Sequence, residues 1–209
     1  AVALLKVPTR MHQSKILVVG HATGTEPARS AEKIKEKFGT EVITLTAQQV
    51  IEAHAAVDLQ AAEAEAEEYW LKPAQGIVEP SRAEVVNSAR LFLATKNLMI
   101  QHGARAITSC HCMGAPAKGC LTFSKLNDLG RVGACEGDMD STLTMLMFGY
   151  AFGKPGFITD PLFDLSKNAV IHAHCVAATK MDGADGQRAP FTLRSHRDDN
   201  HGAAVEIDL

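Results

Sequence analysis

The segment Gly133–Pro161, GACEGDMDSTLTMLMFGYAFGKPGFITDP, restricts the possible folds more than any other part of the chain. A short apolar lead-in (Val132, Ala134) ends in Glu136-Gly137-Asp138. An almost wholly apolar stretch follows (Leu143, Met145, Leu146, Met147, Phe148, Tyr150), and a second run, Gly156-Phe157-Ile158, delivers Asp160 just before Pro161. The pattern predicts strand, helix, strand, with a carboxylate at the same end of each strand. In a parallel sheet that end is the carboxyl edge, where open α/β folds keep their ligands. Side chains alternate along a strand, so Glu136 and Asp138 are expected to leave one face, with Gly137 keeping that side uncrowded. Carboxylates that converge at a sheet edge repel one another unless a proton or cation sits between them. Oxygen-rich sites suit magnesium, manganese or calcium. Glu136 and Asp160 are read as ligands of such an ion, and Asp140, beside Ser141, as a cap of the following helix.

The flanking sequence extends the same architecture. Lys15-Ile16-Leu17-Val18-Val19-Gly20 is a continuous apolar run, the mark of a strand buried on both faces. Thr25 is placed to cap a helix with Pro27 in its first turn and Ala31, Ile34 and Phe38 at helical spacing; Gly39 ends it and Glu41–Thr46 is the next strand. Residues 15–46 thus read as a βαβ unit. The loop GHATGT lacks the GxGxxG spacing of a dinucleotide cradle, so no such cofactor is assigned. Val57–Trp70 reads as an acidic, exposed helix. The capping box at Ser81 and Glu84 opens a long helix that buries Val85, Ala89, Phe92, Leu93, Met99 and Ile100 and closes at Gly103. Ala106–Ser109 is a strand, and Gly119–Asp128 a helix.

The later residues are richer in strands. Ala169–Ala177 reads as a strand carrying His172 and His174 on one face, and proximity to the carboxylates makes His174 a candidate metal ligand. Pro190–Ser195 and Val205–Leu209 read as further strands, and His196, Asp198, Asp199 and His201 crowd a polar loop between them. The expected organisation is a tail, linker or piece of a preceding helix over 1–14, a Rossmann-like α/β domain over 15–155 with a parallel sheet flanked by helices, and the start of a smaller strand-rich C-terminal domain over 156–209.

Composition narrows the function classes. The chain has 209 residues, 46% hydrophobic and 22% charged, with a formal net charge of −3. That is a globular balance, with no electrostatic reason to expect nucleic acid or an anionic membrane as partner. No apolar run approaches the ~20 residues that span a bilayer. Five cysteines, an odd number without the spacing of a secreted framework, point to a reducing compartment and a cytoplasmic protein. Cys110-His111-Cys112 lacks the second Cys pair of a structural zinc motif and is read as a strand end with small buried thiols. The chain begins at Ala1 and stops within a strand-like run, so it is expected to be part of a larger protein.

Taken together, CEGD before an apolar helix, then GxPGFxxDP, then SKN…AHC, resembles the ketol isomerases of the L-fucose and L-arabinose isomerase superfamily. The resemblance runs from about Lys15 onward. It implies the middle domain of that family followed by the opening of its last domain, with a divalent cation, manganese, held by Glu136, Asp160 and His174. It also implies that Glu136 and Asp160 shuttle a proton between C1 and C2 of an open-chain sugar, in a homo-oligomer. Asn200-His201-Gly202 copies a family triplet around another metal-binding histidine, but the preceding PFTLRSH fits an earlier part of that domain, so His201 is not assigned. Two rival readings remain: a non-catalytic or truncated relative with a binding or assembly role, and a metal-dependent hydrolase.

Overall fold

The computed structural model describes residues 2–196 and 201–207, so Asp198 and Asp199 of the expected polar loop lie outside the described residues. The fold is mixed α/β: a four-stranded parallel sheet flanked by helices, with smaller sheets built mainly from the later residues.

Of the readings open for the first residues, the helical one holds: the chain forms two short helices, α1 (Val2–Leu5) and α2 (Val7–His12). They are fastened to the body: Met11 is buried, and the Ser14 hydroxyl meets that of Tyr150 at 2.5 Å. Strand β1 (Lys15–Val19) then enters the core with Ile16 to Val19 buried, as its unbroken apolar run requires. The single helix expected next is two, α3 (Glu26–Arg29) and α4 (Ala31–Phe38). Ser30 turns extended between them and its hydroxyl accepts the Lys33 N–H, making a new N-cap. Gly39 closes α4 in the left-handed region, and β2 (Glu41–Leu45) pairs parallel to β1.

Helix α5 (Ala47–Ala56) begins at a Thr46–Gln49 capping box. Helix α6 (Leu59–Ala66) continues into a π-helical turn, Glu67–Leu71. Ala62, Ala66 and Trp70 are fully buried along it, so the stretch read as exposed hides an apolar stripe beneath its charges. After β3 (Gly76–Ile77) comes α7 (Arg82–His102), opened by the Ser81–Glu84 box and closed by Gly103 as expected, although Ile100 faces solvent.

Strand β4 (Ala106–Ser109), helix α8 (Cys120–Asp128), β5 (Val132–Cys135) and α9 (Met139–Phe152) complete the main layer, whose strand order is β2-β1-β4-β5 with every pairing parallel. The strand expected over Gly156–Ile158 does not form. Gly156 lies directly on α9, where a Cβ would come within 2.8 Å of Met145 Cγ, so this segment crosses the helix instead of running beside β5. Antiparallel strands β6 (Asp160–Asp164) and β7 (Ala169–Ala173) form a separate hairpin. Leu162, Phe163, Leu165, Val170 and Ile171 are all exposed on it. Strands β8 (Phe191–His196) and β9 (His201–Ile207) join β3 in a third sheet of order β3-β8-β9. Among the described residues no helix is long and apolar enough to cross a membrane.

Every residue of α8 is buried because the helix lies between the two cores. Phe123 and Leu126 pack with the parallel sheet, and Leu121 packs with Trp70, Val85, Phe191, Leu193 and Val205 under the third sheet. Helix α8 lies directly on Gly133 of β5, where a Cβ would meet Phe123 Cα at 2.7 Å and Cβ at 2.8 Å. Backbone cannot be displaced as a flexible side chain can, so Gly133→Ala should cost about 1–3 kcal/mol, read as a lowered denaturant midpoint. An unchanged midpoint would show that α8 and β5 are less closely apposed than described here.

Candidate functional site

The carboxyl ends of β1 and β5 are laced together by their loops. Thr23 N–H donates to the Gly137 carbonyl at 2.8 Å, Met139 N–H to the Thr23 carbonyl at 3.2 Å, and the Thr23 hydroxyl to the Glu136 carbonyl at 2.9 Å. Gly137 has φ 71°, and a Cβ there would lie 2.6 Å from the His21 carbonyl oxygen. Asp138 is the N-cap of α9, accepting the Ser141 N–H at 3.0 Å as well as the Ser141 hydroxyl. Asp140, read from the sequence as the cap, reaches instead to the start of α3. It accepts the Thr25 N–H at 2.6 Å and the Thr25 hydroxyl at 2.8 Å. Glu136 lies past the end of β5 with φ 64°, so strand alternation does not govern it, and it does not share a strand face with Asp138.

Asp160 does not end a parallel strand; it opens β6 and stands opposite Ala173, the residue before His174. The hairpin therefore brings Asp160 and His174 together at its base. Glu136, Asp160 and His174 line one pocket of about 280 Å3, with Cys112, Met113, Cys135, Cys175 and His196. A neighbouring cleft of about 580 Å3 shares Asp160, His174, Cys175 and His196 and adds His172, Arg194 and Glu206. Here His172 Nδ1 and the Thr159 hydroxyl are 2.9 Å apart, in hydrogen-bond contact. His174 lies beyond the end of β7, which is shorter than the strand expected over 169–177. His201 stands opposite His196 in the β8–β9 ladder.

The inner wall of the pocket is sulfur. Cys135 shares thiol hydrogen bonds with Cys112 and Cys175, and Cys120 with Cys175. His174 Nδ1 is 3.6 Å from Cys175 Sγ. That contact raises the imidazole pKa above its ordinary value against the desolvation of burial, and the charges of Cys175, Asp160 and Glu136 add to it. Hydrogen bonds from Cys120 and Cys135 lower the Cys175 thiol, with His174 assisting. The Cys135 thiol is raised, by its bonds to Cys112 and Cys175 and by burial. Among the described residues, the group of three or more His, Cys, Asp or Glu whose donor atoms all lie within 4.8 Å of one another is Cys135, His174 and Cys175. Two sulfurs and one imidazole nitrogen do not fit manganese, which prefers oxygen donors. The expected trio of Glu136, Asp160 and His174 shares the pocket without being the convergent set.

Sequence reasoning did not single out Cys135 or Cys175 as ligands, and it placed His196 in a polar loop rather than on the pocket. The Cys110-His111-Cys112 signal pointed to the right neighbourhood, but its members diverge: Cys110 Sγ turns to His21 Nδ1 at 3.3 Å, while Cys112 enters the pocket and accepts the Glu136 N–H at 3.4 Å. No model of a known protein family matches the chain, and no curated protein sequence matches it significantly. The isomerase resemblance therefore stands on the motifs from CEGD to AHC.

A left-handed glutamate costs of order 1–2 kcal/mol that a glycine at the same position avoids. Glu136→Gly should therefore be more stable than Glu136→Ala by about 1 kcal/mol, measured by urea unfolding. Equal stability of the two variants would mean that φ 64° at this position carries no strain.

Proposed function

We propose that the pocket transfers a proton between adjacent carbons of an open-chain sugar, as an aldose–ketose isomerase, with Glu136 and Asp160 as its acid–base pair. The observation that carries this reading is the meeting of two carboxylates and an imidazole, from three separate segments, on one pocket at the carboxyl edge of the parallel sheet. The adjoining cleft is polar, lined by His172 and by Arg194, which is paired with Glu79 and Glu206.

The chemistry asks for one carboxylate to take the proton from the carbon beside the carbonyl and return it to the neighbouring carbon. The second carboxylate moves a hydroxyl proton between the two oxygens. Negative charge builds on those oxygens as the enediolate forms. The Nε2 edge of the His174 imidazole, whose Nδ1 faces Cys175 Sγ, is suited to donate a hydrogen bond to that charge. On this reading the protein works in a reducing compartment, where its thiols stay free, and as a homo-oligomer. The uncovered apolar hairpin β6–β7 supports the second point.

Incubation with a panel of aldoses and divalent cations in deuterated water tests the reading. Ketose should form, with deuterium entering at the carbon beside the carbonyl. Glu136→Gln and Asp160→Asn should each lower kcat/KM by about 10²–10⁴-fold without lowering the melting temperature. Full-rate isomerisation by Glu136→Gln, or no deuterium exchange with any sugar of the panel, would overturn it.

A further inference from the structure

We propose that Cys135, His174 and Cys175 bind a thiophilic divalent cation of the zinc class, with a fourth coordination position open to the pocket that Glu136 and Asp160 line. The proposal stands on the donor set and its surroundings, independently of the reaction assigned above.

One donor separation matches the value that tetrahedral coordination requires. Zinc bonds of about 2.3 Å to sulfur and about 2.0–2.1 Å to nitrogen, at a tetrahedral angle, hold the two donor atoms about 3.6 Å apart. The separation of His174 Nδ1 and Cys175 Sγ is 3.6 Å. Cys135 Sγ completes a set with all donor atoms within 4.8 Å of one another. Cys135 is 1% exposed and ends β5, so its position is fixed by the parallel sheet. His174 and Cys175 are adjacent in the chain and approach from the other side, beyond the end of β7. An ion bound there would join the two halves of the pocket.

Two sulfurs and an imidazole are borderline-soft donors that select zinc over manganese or magnesium, and three protein ligands with one vacant position are the pattern of catalytic rather than structural zinc. All three donors line the pocket that also holds Glu136, Asp160 and His196. Of the further thiols, Cys112 accepts the Glu136 N–H and Cys120 bonds to Cys175, and both lie outside the convergent set. Binding would displace the thiol protons and place a Lewis acid in the same pocket as two carboxylates, which are then left free for proton transfer. Among the described residues, Nδ1 of His196, a residue that lines the same pocket, is buried without a hydrogen-bond partner.

Reconstitution of the full chain with cobalt, a spectroscopic stand-in for zinc, gives a test that needs no variant and no activity. One equivalent of cobalt should bring thiolate-to-metal charge-transfer absorption and the intense visible bands of a four-coordinate site, and one equivalent of zinc should abolish both. Cys175→Ser and Cys135→Ser should each remove the charge-transfer band or weaken it by about half, with apparent zinc affinity falling at least about 10-fold. Cys112→Ser and Glu136→Gln should retain the spectrum. Absence of thiolate bands in the unsubstituted protein would overturn the proposal. So would a spectrum lost in Glu136→Gln and kept in both Cys135→Ser and Cys175→Ser, which would return the metal to the carboxylates. Loss of the spectrum in Cys112→Ser would overturn the open fourth position. Failure of the isomerase reading is separable, since it is judged by deuterium exchange and leaves the cobalt spectrum untouched.

Discussion

The side chain of Asn127, on the buried helix α8, is the interaction on which the arrangement of the pocket depends. It accepts the Gly133 N–H at 2.9 Å, donates to the Gly133 carbonyl at 3.0 Å, and reaches the Val176 carbonyl at 3.4 Å. One amide therefore satisfies the backbone of β5 and that of the segment following His174-Cys175. Its neighbours extend the effect. The Ser124 hydroxyl donates to the Ala177 carbonyl at 2.6 Å; Asp128 accepts from the Thr179 hydroxyl at 2.6 Å, the Lys180 N–H at 2.8 Å and the Tyr69 hydroxyl at 2.9 Å. Buried polar groups are expensive when unpaired, so a register of this kind resists any shift of residues 176–180 along α8. That is how an irregular stretch of chain holds His174 and Cys175 against the end of β5.

The division between what the residues foretold and what they did not follows from the range of the interactions. Runs such as Lys15–Val19, the capping box at Ser81 and the stop at Gly103 are decided within a few residues, and they fold as read. The parallel sheet follows, because continuous apolar strands separated by helices leave few other solutions. Local signals misled where a tertiary contact outweighed them. Gly156 is pressed against α9, which removes a strand that Gly156-Phe157-Ile158 would otherwise support, and Trp70 draws an acidic helix into the second core.

The pocket was legible in part for the same reason. Glu136 and Asp160 could be singled out because acidic residues stand where an α/β sheet ends, and both do line the pocket. Their backbone settings were misjudged, since φ 64° at Glu136 and a hairpin beginning at Asp160 are imposed by partners distant in sequence. The sulfur wall was harder still. Cys112, Cys120, Cys135 and Cys175 have no metal-site spacing in the chain, and only the closing of α8 between the two cores gathers them. A spacing rule finds ligands carried by one turn; it is blind to a set assembled from a strand end and the far side of a hairpin.

The hairpin itself has a mechanical meaning. Among the described residues its two strands pair only with each other, from Asp160 opposite Ala173 out to Asp164 opposite Ala169, and its apolar tip is exposed. Exposed Leu165 and the root, where Asp160 sits across from the residue preceding His174, are two ends of one ladder, so a surface that covers the tip rests on the same arm as two pocket side chains, whereas Glu136 follows the parallel strand β5.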